Sequence, residues 1–569
     1  MRRRAIALLL SLVVLAPLAM SPAGAAWTAG RGEALAVTGI HTGPDYNEGR
    51  LLPVVSPESD RFELFSSSAT TRNQIGDRRK WFALDDAKDE IYLKTFVLRG
   101  KGDRVEVWVT PNLSFPGQDC RNDERIKVRR RQVRRLVRQF DDNIFPKESR
   151  WFSRPPRRNG RNGLAPAFTN LGRRYFRGNG RKIVVLVDNV RDDNYYDANN
   201  SQNLPYIIGF FYSQFVELTD RNVMTIDGFD WLHRTTANPP HEPIPNDSCN
   251  SKPARPFLIE ETFAHEYQHL LHYYEDPNER TWLNEGLSDW AQTLTGYAHP
   301  GRSIDERGFD RHVQCFLGWC SQPTDFNPSP VDMGAENSLT VWSDQGAGEI
   351  LADYGATYTF MELLASRYGR PFMRLLHRNN RNGLASLSRM LTKIGANTDP
   401  RSVIDDWAAM VALDGRLDLG AALTGADPSS LRARRLHASV NWSTAHSFST
   451  PGAPPNGSDY VRVRAQNGSF LTAAELESLS FEDLAGAPEG AFTVQLVAYD
   501  DAGTAAWIAR VPLDADNSGA LTGAQLQELL GTWAETVGAI VTIHDPGEFV
   551  RSYTPYRLVV NGVTQPGGS

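Results

Sequence analysis

His265-Glu266-Tyr267-Gln268-His269 places two imidazoles four residues apart with a carboxylate directly after the first. On a helix four residues advance the chain by about 400°, so His265 and His269 stand one turn apart on one face and can share one divalent cation. Glu266 lies beside them as a base for the proton of an attacking water. A catalytic zinc also needs a third protein ligand and an open fourth position. Sixteen residues after His269 comes Asn284-Glu285-Gly286-Leu287-Ser288-Asp289. An antiparallel helix pair with a short turn returns Glu285 to the metal. Asp289, four residues on, falls on the same face, where its carboxylate accepts the other N–H of a ligand imidazole. Without a metal, such a core would bury two carboxylates with no counter-charge, which is costly. The five-residue pattern alone is only suggestive; the second helix makes it specific.

The elements that must hold these residues are legible. Leu258 to Tyr274 contains no Gly or Pro and reads as a helix, Asp276-Pro277-Asn278 ends it, and Thr281 to Tyr297 reads as a second. Upstream, Glu90 to Leu98 and Arg104 to Val109 flank Gly100-Lys101-Gly102-Asp103, a β-hairpin pattern. Ile183 to Asp188, Tyr206 to Phe211 and Val223 to Ile226 read as strands. Ile350 to Tyr368, Pro371 to His377, Leu384 to Ile394 and Val403 to Leu413 read as helices. Ser447 to Ser458 has the composition of a linker, and five short apolar runs between Tyr460 and Val560 read as strands. The expectation is an α+β protein with segments at 26–80 (a propeptide or N-terminal extension), 81–425, a linker at 426–458 and a small, mostly β C-terminal domain at 459–569.

At 569 residues the chain exceeds what one hydrophobic core usually organises. Its net charge of −6 gives no reason to expect nucleic-acid or membrane partners. Residues 121–160 hold 14 Lys or Arg against five Asp or Glu, but Val133, Leu136, Val137 and Phe140 recur at helical spacing, so the basic side reads as a solvated helix face, with docking to an acidic polymer or cell surface as the other reading. Met1-Arg2-Arg3-Arg4, the apolar run from Ala5 to Ala19 and Ala23-Gly24-Ala25 have the form of a signal peptide over 1–25, cleaved near Ala25, which predicts secretion without a membrane anchor. In that compartment the four cysteines favour two disulfides. Three pairings are open; Cys315 with Cys320 is a plausible local loop, which leaves Cys120 with Cys249.

The paired helices carry a resemblance. His265 to His269 followed by Asn284-Glu285 and Ser288-Asp289 is similar to the gluzincin metallopeptidases, the thermolysin-like clan. The fuller wording His265 to Leu271 with Trp282 to Ser288 resembles the secreted bacterial hyicolysin-like peptidases more closely, as do Phe140 to Pro146, the strand at Ile183 to Asp188 and the helix at Tyr354 to Phe360. The resemblance spans about residues 80–425. It implies a zincin-type catalytic domain, with a mixed sheet, an active-site helix pair and a helical lower subdomain, and a zinc endopeptidase acting, as a monomer, on proteins or peptides. His265, His269 and Glu285 would hold Zn(2+) and Glu266 would be the general base; related peptidases take the oxyanion donor from a Tyr or His of the downstream helical region, which makes Tyr354 and Tyr358 candidates, beside a reading of both as core aromatics of an amphipathic helix. A metzincin would carry glycine at 272 and a ligand histidine at 275, where this chain has His272 and Glu275. His272 stands too far along the axis from His265 to share its ion and reads as a packing or surface residue. Asp514, Asp516 and Ser518 follow a Ca(2+)-binding loop, but Gln525 replaces its bidentate acid, so a polar turn is the expectation. Two other readings stand beside the endopeptidase: an aminopeptidase of the same fold, which needs an acidic group for the substrate amine, and a surface-binding protein with a vestigial metal site.

Overall fold

The computed structural model describes residues 40–42, 52–55, 73–197, 207–247, 249–342, 344–345, 349–445, 451–545, 547–548 and 552–567. The signal-peptide expectation lies outside them. Helices and sheets are mixed, in an α+β arrangement.

The first sheet has eight strands: β1 (Ile40–Thr42), β2 (Val54–Val55), β3 (Arg78–Asp85), β4 (Glu90–Lys101), β5 (Val105–Val109), β6 (Ile183–Asp188), β7 (Ile207–Phe210) and β8 (Val223–Asp227). Their order is β1-β7-β8-β6-β5-β4-β2, with β3 pairing β4. β5, β6 and β8 run parallel; β7 is antiparallel to β8 and carries β1 on its other edge, His41 opposite Gly209. β6 and β8 are buried at every position, which explains why they read as unbroken apolar runs. The basic stretch forms α1 (Arg130–Gln139), which turns Val133 and Leu136 inward and leaves arginines outside. The expected N-terminal segment is not set apart: β2 lies on the sheet, and buried Leu52 donates its N–H to Gln214 at 2.9 Å.

Two helices follow across the sheet, α2 (Leu258–Glu275) and α3 (Thr281–Thr295). Gly209 allows α2 to press on β7, since a Cβ there would stand 2.5 Å from Thr262 and 3.2 Å from Glu266. After α4 (Arg311–Phe316) and the short strand β9 (Asn337–Ser338) comes α5 (Ile350–His377), which joins the two helices expected at 350–368 and 371–377. Gly369, at φ 77°, breaks the helical path between them, as the sequence Gly369-Arg370-Pro371 requires. α6 (Gly383–Lys393) and α7 (Pro400–Asp418) complete the helical layer.

A five-stranded sheet, β10-β14-β13-β16-β11, packs on α7; its strands are β10 (Ala422–Thr424), β11 (Gly457–Arg462), β13 (Phe492–Tyr499), β14 (Ala505–Arg510) and β16 (Thr536–Ile543). Beside it β15 (Gly519–Thr522), β12 (Ser478–Asp483), β17 (Tyr556–Val560) and β18 (Val563–Thr564) form a four-stranded sheet, with α8 (Gly523–Leu530) following β15. The linker expectation fails here. Among the described residues of this stretch, Leu431, Ala433, Leu436, Ala438 and Val440 are buried in the apolar core that α7 also lines, and Ala453 is buried as well. Tyr460, Val497, Tyr499 and Ile540 share one apolar core with α7, so residues 459–569 are not isolated behind an exposed tether.

The cysteines pair as Cys120–Cys249 and Cys315–Cys320. The first closes a loop of 129 residues and the second one of five. Loop-closure entropy gives an expected loss of about 5 kcal/mol for paired serine substitution of the first and about 2 kcal/mol for the second. Denaturant unfolding measures both, and equal losses would contradict the loop-length argument.

Candidate metal centre

α2 and α3 lie side by side, and their facing residues are buried without exception around the cluster. Nε2 of His265 and Nε2 of His269 are 2.9 Å apart, and Glu285 Oε2 is 3.0 Å from the first and 3.3 Å from the second. Ligand atoms 2.0–2.1 Å from a tetrahedral zinc stand about 3.3–3.4 Å from one another, so relaxation by a few tenths of an ångström suffices.

Partners on the outer side of each ring fix which nitrogen carries the proton. His265 Nδ1 is 2.9 Å from Asp289 Oδ1, and His269 Nδ1 is 3.1 Å from Asn284 Oδ1. Both acceptors require N–H at Nδ1, which leaves the Nε2 lone pairs turned on each other and on a carboxylate. Glu285 Oε1, fully buried, has no hydrogen-bond partner among the described residues. This donor set fits a divalent cation, and two imidazoles with one carboxylate suit zinc. Burial pulls the His265 pKa down, but Asp289 and Glu285 outweigh it and hold it at about 10. Burial pushes Glu285 up, and His269 and His265 overcome that to keep it below the usual range.

Glu266 is wholly buried, packed close to Gly209 of β7, and burial raises its pKa to about 7. A group that titrates there is suited to pass a proton at neutral pH. Asp289 reaches a further side chain with its second oxygen, 3.3 Å from His312 Nδ1. Burial lowers the His312 pKa, yet Asp289 and Asp310 raise it overall. Gln292 donates to Asp289 Oδ1 at 2.6 Å and completes its shell.

Tyr354 is buried, with its ring 6.1 Å from that of His265 and stacked on His312 at 4.6 Å. Tyr358 is bound elsewhere: its hydroxyl is 2.6 Å from Thr293 Oγ1 inside the core, and burial holds its pKa well above the usual value. His272 is buried and its Nδ1 is 3.0 Å from Asn284 Oδ1, so it packs behind the cluster and is not a surface residue. Asp514 accepts from the N–H groups of Asp516 and Ser518, and Gln525 accepts from Thr522 N–H as part of the α8 cap. These groups complete a turn and a helix start, and the calcium expectation has no support from them.

His312 escaped the sequence reading because it stands outside both helices and at no fixed spacing from His265. Its only signal is Asp310, two residues earlier, whose carboxylate caps the N-terminus of α4 by accepting from Val313 N–H. Gly355 brings α4 to α5 so closely that a Cβ there would strike the His312 carbonyl. Compared with known proteins, the chain matches no family model, and no curated protein is significantly similar to it.

Replacing Asn284 or Asp289 by alanine frees a ligand imidazole to turn and is expected to weaken zinc affinity about 10- to 100-fold, measured by chelator competition. Affinity should also fall as pH drops, because protons compete for the nitrogens that bind the ion. Unchanged affinity in both variants would contradict the orienting role.

Proposed function

We propose that the chain is a secreted zinc-dependent endopeptidase of zincin type, related in mechanism to the hyicolysin-like gluzincins. The observation that carries this reading is the triangle of two Nε2 atoms and one carboxylate oxygen with edges of 2.9–3.3 Å, next to a buried glutamate. Two disulfides agree with an oxidising compartment, and no helix among the described residues is long and apolar enough to cross a membrane.

When bound by His265, His269 and Glu285, zinc supplies Lewis acidity towards a water and the scissile carbonyl. Glu266 takes the proton of the attacking water and passes it to the leaving amine. Asp289 keeps His265 in the tautomer that leaves Nε2 for the ion, and Asn284 does the same for His269. His312, which Asp289 holds at Nδ1 and whose pKa Asp289 and Asp310 raise, is the group we assign as donor to the oxyanion. Tyr354 braces the His312 ring face to face, whereas Tyr358 serves the core.

Glu266→Gln is expected to lower casein or peptide cleavage by about 10³-fold while one zinc per chain is retained. His312→Phe should lower kcat by about 10²-fold with a smaller effect on KM. Purified wild-type protein that holds no stoichiometric zinc, or whose proteolysis survives chelation, would refute the reading.

A further inference from the structure

A cavity of about 70 Å³ lies beside the metal centre, walled by Ile208 of β7, Leu258 and Glu261 of α2, Gln292 of α3, and Asp310 and His312 of the α4 start. Its walls share residues with the site. Glu261 precedes His265 by four residues, so it stands on the same face of α2, about 6 Å along the axis. Gln292 and His312 both contact Asp289, which holds His265.

The half-buried Glu261 carboxylate forms no hydrogen bond or ion pair among the described residues. Burial, then the carboxylates of Asp310, Glu260 and Asp289, raise its proton affinity, and the Arg255 guanidinium acts in the opposite direction. The other basic groups in the wall are already engaged or neutral. Arg311 donates to Asn327 and Ser329, His312 is tied to Asp289, and burial lowers the pKa of His299. Apolar walls from Ile208, Leu258 and Phe309 lead to this acidic end. An aliphatic stem ending in a cation matches that profile.

We propose that this cavity is a substrate subsite for a cationic nitrogen next to the cleaved bond, with Glu261 as its counter-ion and Asp310 in support. The proposal rests on the peptidase reading. The cation has two sources: the side chain of a lysine or arginine, as an endopeptidase would meet it, or the α-ammonium of a peptide N-terminus, as an aminopeptidase would.

Three probes separate them by calorimetric titration of the zinc-loaded protein: N-acetyl-lysinamide carries the side-chain cation, norleucinamide only the α-ammonium, and N-acetyl-norleucinamide no charge. One charged probe is expected to bind about tenfold more tightly than the neutral one, as a charged hydrogen bond in a half-buried pocket provides. Glu261→Gln should erase that preference, and Glu261→Asp, which keeps the charge, should retain its direction. Preference for N-acetyl-lysinamide assigns a side-chain subsite, and preference for norleucinamide an amine-anchoring one. Equal binding of all three, or a preference unaltered in Glu261→Gln, overturns the proposal. Cleavage of blocked peptides bearing lysine or norleucine beside the bond is measured in parallel. A protein that discriminates the probes but cleaves no peptide loses the peptidase reading and keeps the subsite, while one that cleaves without discrimination does the reverse.

Discussion

Two imidazole lone pairs and a carboxylate oxygen face one another within 3.3 Å in a part of the core that solvent does not reach. In such a medium electron-rich atoms at this distance repel, and only a positive charge among them makes the arrangement favourable. A proton answers part of the need, and Asp289 and Glu285 accordingly raise the His265 pKa against the effect of burial. A divalent cation answers all of it, because it satisfies three donors at once. The surrounding structure follows from keeping those three atoms turned inward.

That task falls to residues behind the cluster. Asn284 and Asp289 sit on α3 at positions that flank Glu285, so one helix carries both the third ligand and the groups that aim the other two. Asn284 Oδ1 also takes His272 Nδ1, which ties a second buried ring to the first. Close helix–strand contact at Gly209 sets Glu266 against β7, and close helix–helix contact at Gly355 sets His312 beside Asp289. The base thus shares α2 with two of the ligands, while the proposed oxyanion donor arrives from α4, outside both ligand helices.

Much of this is written locally. His265, Glu266, His269, Glu285 and Asp289 are readable because helical periodicity turns sequence spacing into shared faces, and α2 and α3 end within two residues of where Pro277 and the polar turn place them. What escaped is long-range. His312 reaches Asp289 only through the packing of α4 on α5, which no local spacing encodes. Tyr354 and Tyr358 look equivalent on one helix, yet only Tyr354 lies near the rings, because Thr293 of α3 takes the other hydroxyl. Residues 426–445 mix polar and small side chains, and their burial depends on a sheet contributed by residues far along the chain. The Asp514 loop has the letters of a cation site, but one oxygen of its carboxylate accepts from the backbone N–H groups of Asp516 and Ser518 and so closes a turn.

Diffraction from crystals of the zinc-treated protein, collected on both sides of the zinc absorption edge, tests the central claim most directly. The account requires one strong anomalous peak, about 2.0–2.2 Å from Nε2 of His265, Nε2 of His269 and a carboxylate oxygen of Glu285. No peak at that point, or a peak that leaves Glu285 outside the coordination sphere, would contradict it.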